Sequence, residues 1–177
     1  MTERMPTVDI GQLVAEHHAS VYRYAFRLTG AVCDAEDLTQ QTFLAAHVNL
    51  AQLRQAEHAR GWLFTILRHN YAKFRSKRLP LSASGFDVDL DAVAEEVPTE
   101  LVVDPERLQQ AIDELPDDFK IVVLMFYFEE CSYREIAERL GLPAGTVMSR
   151  LARAKARLRA KLTEPDEIPV SLAARAE

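Results

Sequence analysis

Apolar residues recur at helical spacing through most of the chain. Ile10, Leu13, Val14, His17, Val21, Ala25 and Leu28 form one stripe, and Thr29-Gly30 ends it. The next run, DAEDLTQQTFLAAHVNL, offers Asp34 as a cap and turns Leu38, Thr42 and Ala45 inward. Its other faces carry Asp37, Gln40, Gln41 and His47. A polar connection, AQLRQAEHAR, leads into GWLFTILRHNYAKFRSKR, which is apolar in its first half and basic in its second. The pattern then fails. LPLSASGFDVDLDAVAEEVPTE is acidic, is punctuated by Pro80, Gly85 and Pro98, and has no helical period, so it predicts a linker. Order returns at Asp104-Pro105, a cap followed by a first-turn proline. PERLQQAIDEL and DDFKIVVLMFYFEE predict two helices broken at Pro116.

The last patterned stretch, SYREIAERLGLPAGTVMSRLARAKAR from Ser132, predicts two helices joined by a tight turn. Ser132 and Glu135 have the spacing of a capping box, and Gly141 suits the left-handed position after a helix end. The second helix begins near Pro143 and buries Val147, Leu151, Ala154, Leu158 and Leu162 along one stripe. Ser149, Ala152, Ala156 and Ala160 lie opposite, bordered by Met148, Arg150, Arg153, Arg157 and Arg159. This is the pattern of a helix-turn-helix: small side chains let the backbone approach base edges, and the flanking arginines reach phosphates or guanine. An ordinary interaction helix is the plainer alternative, but residues 145–162 hold six basic residues and no acidic one. The predicted architecture is all-α. Two small helical domains, residues 1–79 and 104–163, flank a flexible acidic linker at 80–103, and a tail occupies 164–177.

Charge sharpens this picture. The net charge of −6 argues against a nucleic-acid partner, yet it is unevenly spread. Residues 1–79 carry +3, 80–118 carry −11, 119–162 carry +5 and 163–177 carry −3. Two basic blocks are thus held apart by an acidic one, which can compete with DNA for their cationic faces. At 48% hydrophobic residues the chain is globular, and no apolar run is long enough to span a membrane. The N-terminus lacks the layout of a signal peptide, which predicts a cytoplasmic protein. Cys33 and Cys131 stand alone as reduced structural thiols, and the five histidines form no ligand grouping, so no metal and no cofactor are expected. No phosphate loop or catalytic triad spacing appears, which disfavours an enzyme.

The segments DAEDLTQQTFLAA, GWLFTILRHNYAKFRSKR and ELPDDFKIVVLMFYFEECSYREIAERLGLPAGTVMSRLARAKARLR, in this order, resemble the second and fourth conserved regions of bacterial RNA polymerase sigma factors. The two-domain length is similar to that of the extracytoplasmic-function (ECF) group within the sigma-70 family. The resemblance implies a transcription initiation factor without catalytic activity. Its partners would be core RNA polymerase, promoter DNA and an anti-sigma factor. Asp37, Gln40 and Gln41 match the face that docks on the polymerase clamp. The loop with Gln52, Arg54 and Arg60, and the following helix with Arg68, His69, Asn70, Lys73, Arg75, Lys77 and Arg78, match the part that captures the melted −10 strand. Trp62, Phe64, Tyr71 and Phe74 interleave with those cations as a single-strand platform would require, although periodicity already explains Trp62 and Phe64 as core. Thr146, Met148, Ser149, Arg150, Ala152, Arg153 and Arg157 match the −35-reading surface. Gln41, His69 and Met148 depart from the glutamate, asparagine and basic residue common at those positions. A free-standing helix-turn-helix regulator would explain the C-terminal block, but not the basic aromatic helix before the linker.

Overall fold

The computed structural model describes residues 9–78 and 104–163, all of them in helices or short connections. The expected linker and tail lie outside the described residues. Seven helices follow in order: α1 (Ile10–Thr29), α2 (Val32–Val48), α3 (Ala59–Arg78), α4 (Pro105–Asp113), α5 (Asp117–Phe128), α6 (Tyr133–Leu140) and α7 (Ala144–Thr163). Two single 3-10 turns, at Leu50–Gln52 and Ala56–His58, occupy the polar connection before α3.

Local chemistry sets most boundaries. Gly30 closes α1 and Gly141 closes α6, both left-handed, with φ of 71° and 64°. The Asp104 side chain accepts the Arg107 backbone N–H to cap α4. Ser132 and Glu135 form the complete capping box of α6. Asp34 does not cap α2: Ala31 has the extended N-cap backbone, and Asp34 lies inside the first turn. There a carboxylate still interacts favourably with the helix N-terminus. Pro143 lies just before α7, its carbonyl accepting from Thr146 and Val147.

The helices bury two apolar clusters. The first gathers Val21, Tyr24, Ala25 and Leu28 of α1, Ala35, Leu38 and Phe43 of α2, and Leu63, Phe64, Leu67 and Tyr71 of α3. The second gathers Val122, Val123 and Met125 of α5 with Ile136, Val147, Leu151 and Ala154 of the helix-turn-helix. One residue crosses over. Leu124 extends from α5 into the first cluster, with Ile121 and Phe128 packed beside it. The α1–α3 set and the α4–α7 set are therefore in contact, chiefly through α1 against α4 and α5, with side chains of α3 reaching α5. Among the described residues, no helix is long and apolar enough to cross a membrane.

Candidate nucleic-acid interface

The helix-turn-helix is built as its sequence requires. Val147, Leu151 and Ala154 anchor α7 inward. Ser149 is exposed and bonds the Thr146 carbonyl at 3.0 Å, while Met148 is 54% exposed. Ala152, Arg153 and Thr146 are half-buried on the flank of the same helix. Within the set, Arg150 pairs with Asp118 at 2.9 Å, and Arg157 lies over the Phe119 ring at 5.1 Å. Lys155 covers Phe126 and Tyr127 at 4.9 and 5.5 Å. The exposed middle of α7 is thus small or flexible, with guanidinium groups along its borders, a shape suited to a major groove.

The second basic face lies on α3 and the connection before it. Gln52, Arg54, His69, Lys73 and Lys77 are exposed, and Arg78 is the last residue of the helix. Asn70 is half-buried, and its amide nitrogen has no hydrogen-bond partner. Arg60, Arg68 and Arg75, however, all point at α5. Arg60 donates to the Phe128 carbonyl at 2.8 Å, Arg68 pairs with Glu129, and Arg75 pairs with Asp117. The aromatic residues are divided. Phe64 is core, Tyr71 is buried, and Trp62 and Phe74 are half-buried against the first cluster.

Glu129 is the centre of this contact. Its carboxylate is 1% exposed and takes Arg68, the Tyr24 hydroxyl at 2.8 Å and Arg139 at 3.2 Å. Burial, reinforced by Glu129, pushes the Tyr24 hydroxyl well above the ordinary tyrosine range. Burial and Asp117, which accepts the Tyr71 hydroxyl at 2.9 Å, do the same to Tyr71. The Cys131 thiol is likewise pushed up by burial and by Glu129, away from the thiolate form that reacts.

A third surface lies on α2. Asp37, Gln40 and Gln41 are exposed on one stripe, while Thr39 and Thr42 turn in and bond the carbonyls of Ala35 and Leu38. The stripe continues into Leu44 and Val48, which are 67% and 82% exposed. Sequence reading missed both. They stand four and eight residues after Gln40, on the face already identified as outward, so that spacing was the signal available. Leu44 also lines an apolar groove with Ile10, Val14, His18, Phe43 and His47.

Comparison with known proteins shows the family. A family profile described as sigma-70 region 2 matches residues 13–78, and one described as sigma-70 region 4 matches residues 106–158. The chain is 31% identical over 156 residues to the ECF RNA polymerase sigma factor SigW of Bacillus subtilis, spanning 81% of this chain and 83% of that one. It belongs to the ECF group of sigma-70 factors. It is also 37% identical over 160 residues to SigE of Mycolicibacterium smegmatis, and there the match spans 88% of this chain but only 61% of the relative. Among solved structures, the sigma factor RpoE of Bartonella quintana, determined with the anti-sigma factor NepR, superposes with a TM-score of 0.66. Identity there is 26%, covering 87% of this chain and 96% of that one. CnrH, determined with the cytosolic domain of CnrY, gives a TM-score of 0.56 at 26% identity, covering 85% of each chain. In this sigma factor, region 2 comprises α1–α3 and region 4 comprises α4–α7, so the α3 face and the α7 face fall in different conserved regions.

Proposed function

We propose that this sigma factor binds core RNA polymerase and directs it to promoters by reading −35 duplex DNA with α7 and capturing the melted −10 strand with α3. The observation that carries this is the pair of basic faces in one chain, one bordering a slim recognition helix and one on a helix rich in aromatic residues. Thr146, Met148, Ser149, Arg150, Ala152, Arg153 and Arg157 form the −35 surface. Gln52, Arg54, Arg60, Arg68, His69, Asn70, Lys73, Arg75, Lys77 and Arg78 form the −10 surface. Asp37, Gln40 and Gln41 form the docking surface for core polymerase, with Leu44 and Val48 supplying its apolar part. An anti-sigma factor covers part of these surfaces, as the complexes of the two solved relatives suggest. The factor acts in the cytoplasm and has no catalytic step of its own.

Run-off transcription from a genomic fragment library, with core polymerase plus this chain, is expected to yield discrete starts that core alone does not. Gel shifts separate this function from that of a free-standing regulator. Specific promoter binding should need core polymerase, and equally tight specific binding by the chain alone would identify a regulator instead.

A further inference from the structure

The apolar groove beside the docking stripe carries two imidazoles. Ile10, Val14 and His18 of α1 line one wall, and Phe43, Leu44 and His47 of α2 line the other. Two residues belong both to the groove and to the docking surface, because Gln40 also lines the groove and Leu44 forms the apolar part of the stripe. A partner laid on the stripe therefore covers the groove as well. The His18 ring is held between neighbours, near-parallel to those of Phe43 and Tyr22 with centroids 6.2 and 6.4 Å away. His18 and His47 are nevertheless both exposed, so in the free chain water solvates either form of each imidazole.

Covering the groove changes that balance, because an imidazole moved from water into an apolar contact loses the hydration that its charged form needs most. A counter-charge would offset the loss, and the walls offer little. The other titratable side chains beside His18 are Glu36 and Tyr22, which line the adjoining recess with it, and Glu36 is itself exposed. His47 is the remaining titratable residue of the groove, so protonating the pair adds two like charges to an apolar surface. The carboxylate of Glu16 lies 4.0 Å from His17, and neither of these residues lines the groove. We propose that docking of core polymerase on this face is linked to proton release: apolar side chains of the polymerase fill the groove when His18 and His47 are neutral, and any proton on the pair must leave as the two surfaces close. The inference rests on the assignment of α2 to core docking. Affinity is then complete above the pH at which an imidazole ordinarily titrates and is lost as pH falls through it. With that value near 6.5, each imidazole that must dock neutral costs roughly tenfold in affinity at pH 5.5. Carboxylates ordinarily titrate near pH ~4 and keep their charge over this range.

The test measures binding of the full chain to immobilised core polymerase by biolayer interferometry at pH 7.5 and pH 5.5, without DNA, so that His69 of the −10 surface plays no part. Wild type is compared with the His18→Gln, His47→Gln double variant on the same polymerase, which cancels any titration of the polymerase itself. The ratio of wild-type to variant affinity is expected to fall by about tenfold or more between the two pH values. Calorimetry at pH 6.0 in two buffers of different ionisation enthalpy counts the protons. An ordinary imidazole is about three-quarters charged there, so wild type should release about 1.5 protons more per docking event than the double variant. His47→Gln alone changes only an exposed site and should remove about half of the effect on a logarithmic scale, which keeps the test decisive if losing His18 disturbs its stack with Tyr22 and Phe43. Parallel pH profiles for wild type and the double variant overturn the inference. So does tighter docking of wild type in acid, which would mean that the polymerase meets the histidines with carboxylates. Ile10→Asp places a charge in the groove and should weaken docking at pH 7.5 by about tenfold. Undiminished docking of that variant would show that core polymerase leaves the groove uncovered, and it overturns the inference too. The assignment of α2 fails separately: if Asp37→Lys keeps wild-type affinity for core polymerase at pH 7.5, α2 is not the docking surface, whatever the pH profiles show.

Discussion

Leu124→Ala and Met125→Ala should behave differently although they are neighbours on one helix. Leu124 is 1% exposed among residues of α1, α2 and α3, whereas Met125 is fully buried among residues of α5, α6 and α7. Removing three carbons from Leu124 forfeits about 2.4 kcal/mol of transfer free energy at ~0.8 kcal/mol per methylene. The residual cavity raises the expected loss to about 3 kcal/mol, within the ~2 to 5 kcal/mol range for buried leucines. Most of that loss falls on the coupling between the two helical sets, because the buried residues clustered with Leu124 all belong to region 2, and its region 4 neighbours in the cluster are the half-buried Ile121 and Phe128 of its own helix. The loss at Met125 is similar in size but falls on region 4 itself. Trp62 is the chain's sole tryptophan and lies in region 2, so its fluorescence in urea follows one set while far-UV circular dichroism follows both. In wild type the two probes should give one transition with one m-value. Leu124→Ala should pull the probes apart and lower m, since each set then unfolds as a smaller unit. Met125→Ala should lower the midpoint. A Leu124→Ala chain that loses less than about 1 kcal/mol, or that keeps coincident transitions with unchanged m, would refute the reasoning.

Arg153→Ala should cost about 1 to 3 kcal/mol of promoter affinity if the residue reads a base, with wild-type transcription from −35-dependent promoters as the contrary result. Asp37→Lys, on an exposed site, should weaken binding to core polymerase in a pull-down while leaving the thermal midpoint of the free chain in place. Tyr24 and Tyr71 keep their protons in the folded chain beyond the ordinary value of 10.0 at which the unfolded chain releases them. Their contribution to stability is therefore complete below about pH 10 and lost as pH rises past it, and urea midpoints across that range should fall less in a Tyr24→Phe, Tyr71→Phe chain.

Features that depend on near neighbours were legible in the chain. The caps at Asp104 and Ser132, the glycine terminators at 30 and 141, and the buried stripe of α7 each involve residues a few positions apart. Asp34 was misassigned because an acidic residue serves both at the cap and in the first turn, and only the extended backbone of Ala31 decides between them. The contact of Glu129 with Arg68 and Tyr24 had no local signal. Glu129 reads as one of four acids diluting a basic block, and the residues Arg68 and Tyr24 that meet it lie two and four helices upstream. Tyr24 was overlooked for a related reason: it lies beside the apolar stripe of α1, and it becomes core only because Phe64 and Phe128 pack against it.

The same comparison changes the account of charge. The acidic stretch at 80–118 suggested a tethered counter-charge for the basic modules, but half of its twelve acids lie in residues 104–118, in or next to α4 and α5. Asp113, Glu114, Asp117 and Asp118 pair with Lys120, Lys161, Arg75 and Arg150 respectively. The other six, at positions 87, 89, 91, 95, 96 and 100, lie outside the described residues. Tethered and fixed charges respond differently to solution conditions. A carboxylate on a tether acts through solvent and is screened within ~8 Å at physiological ionic strength, whereas the Glu129 pair is almost dry and is screened far less. Salt can therefore dissolve the outer pairs without freeing Arg68. Releasing that arginine would need a surface that takes up what α5 buries, the side chain of Leu124 as well as the two carboxylates, so ionic strength alone should leave the contact between the two helical sets in place.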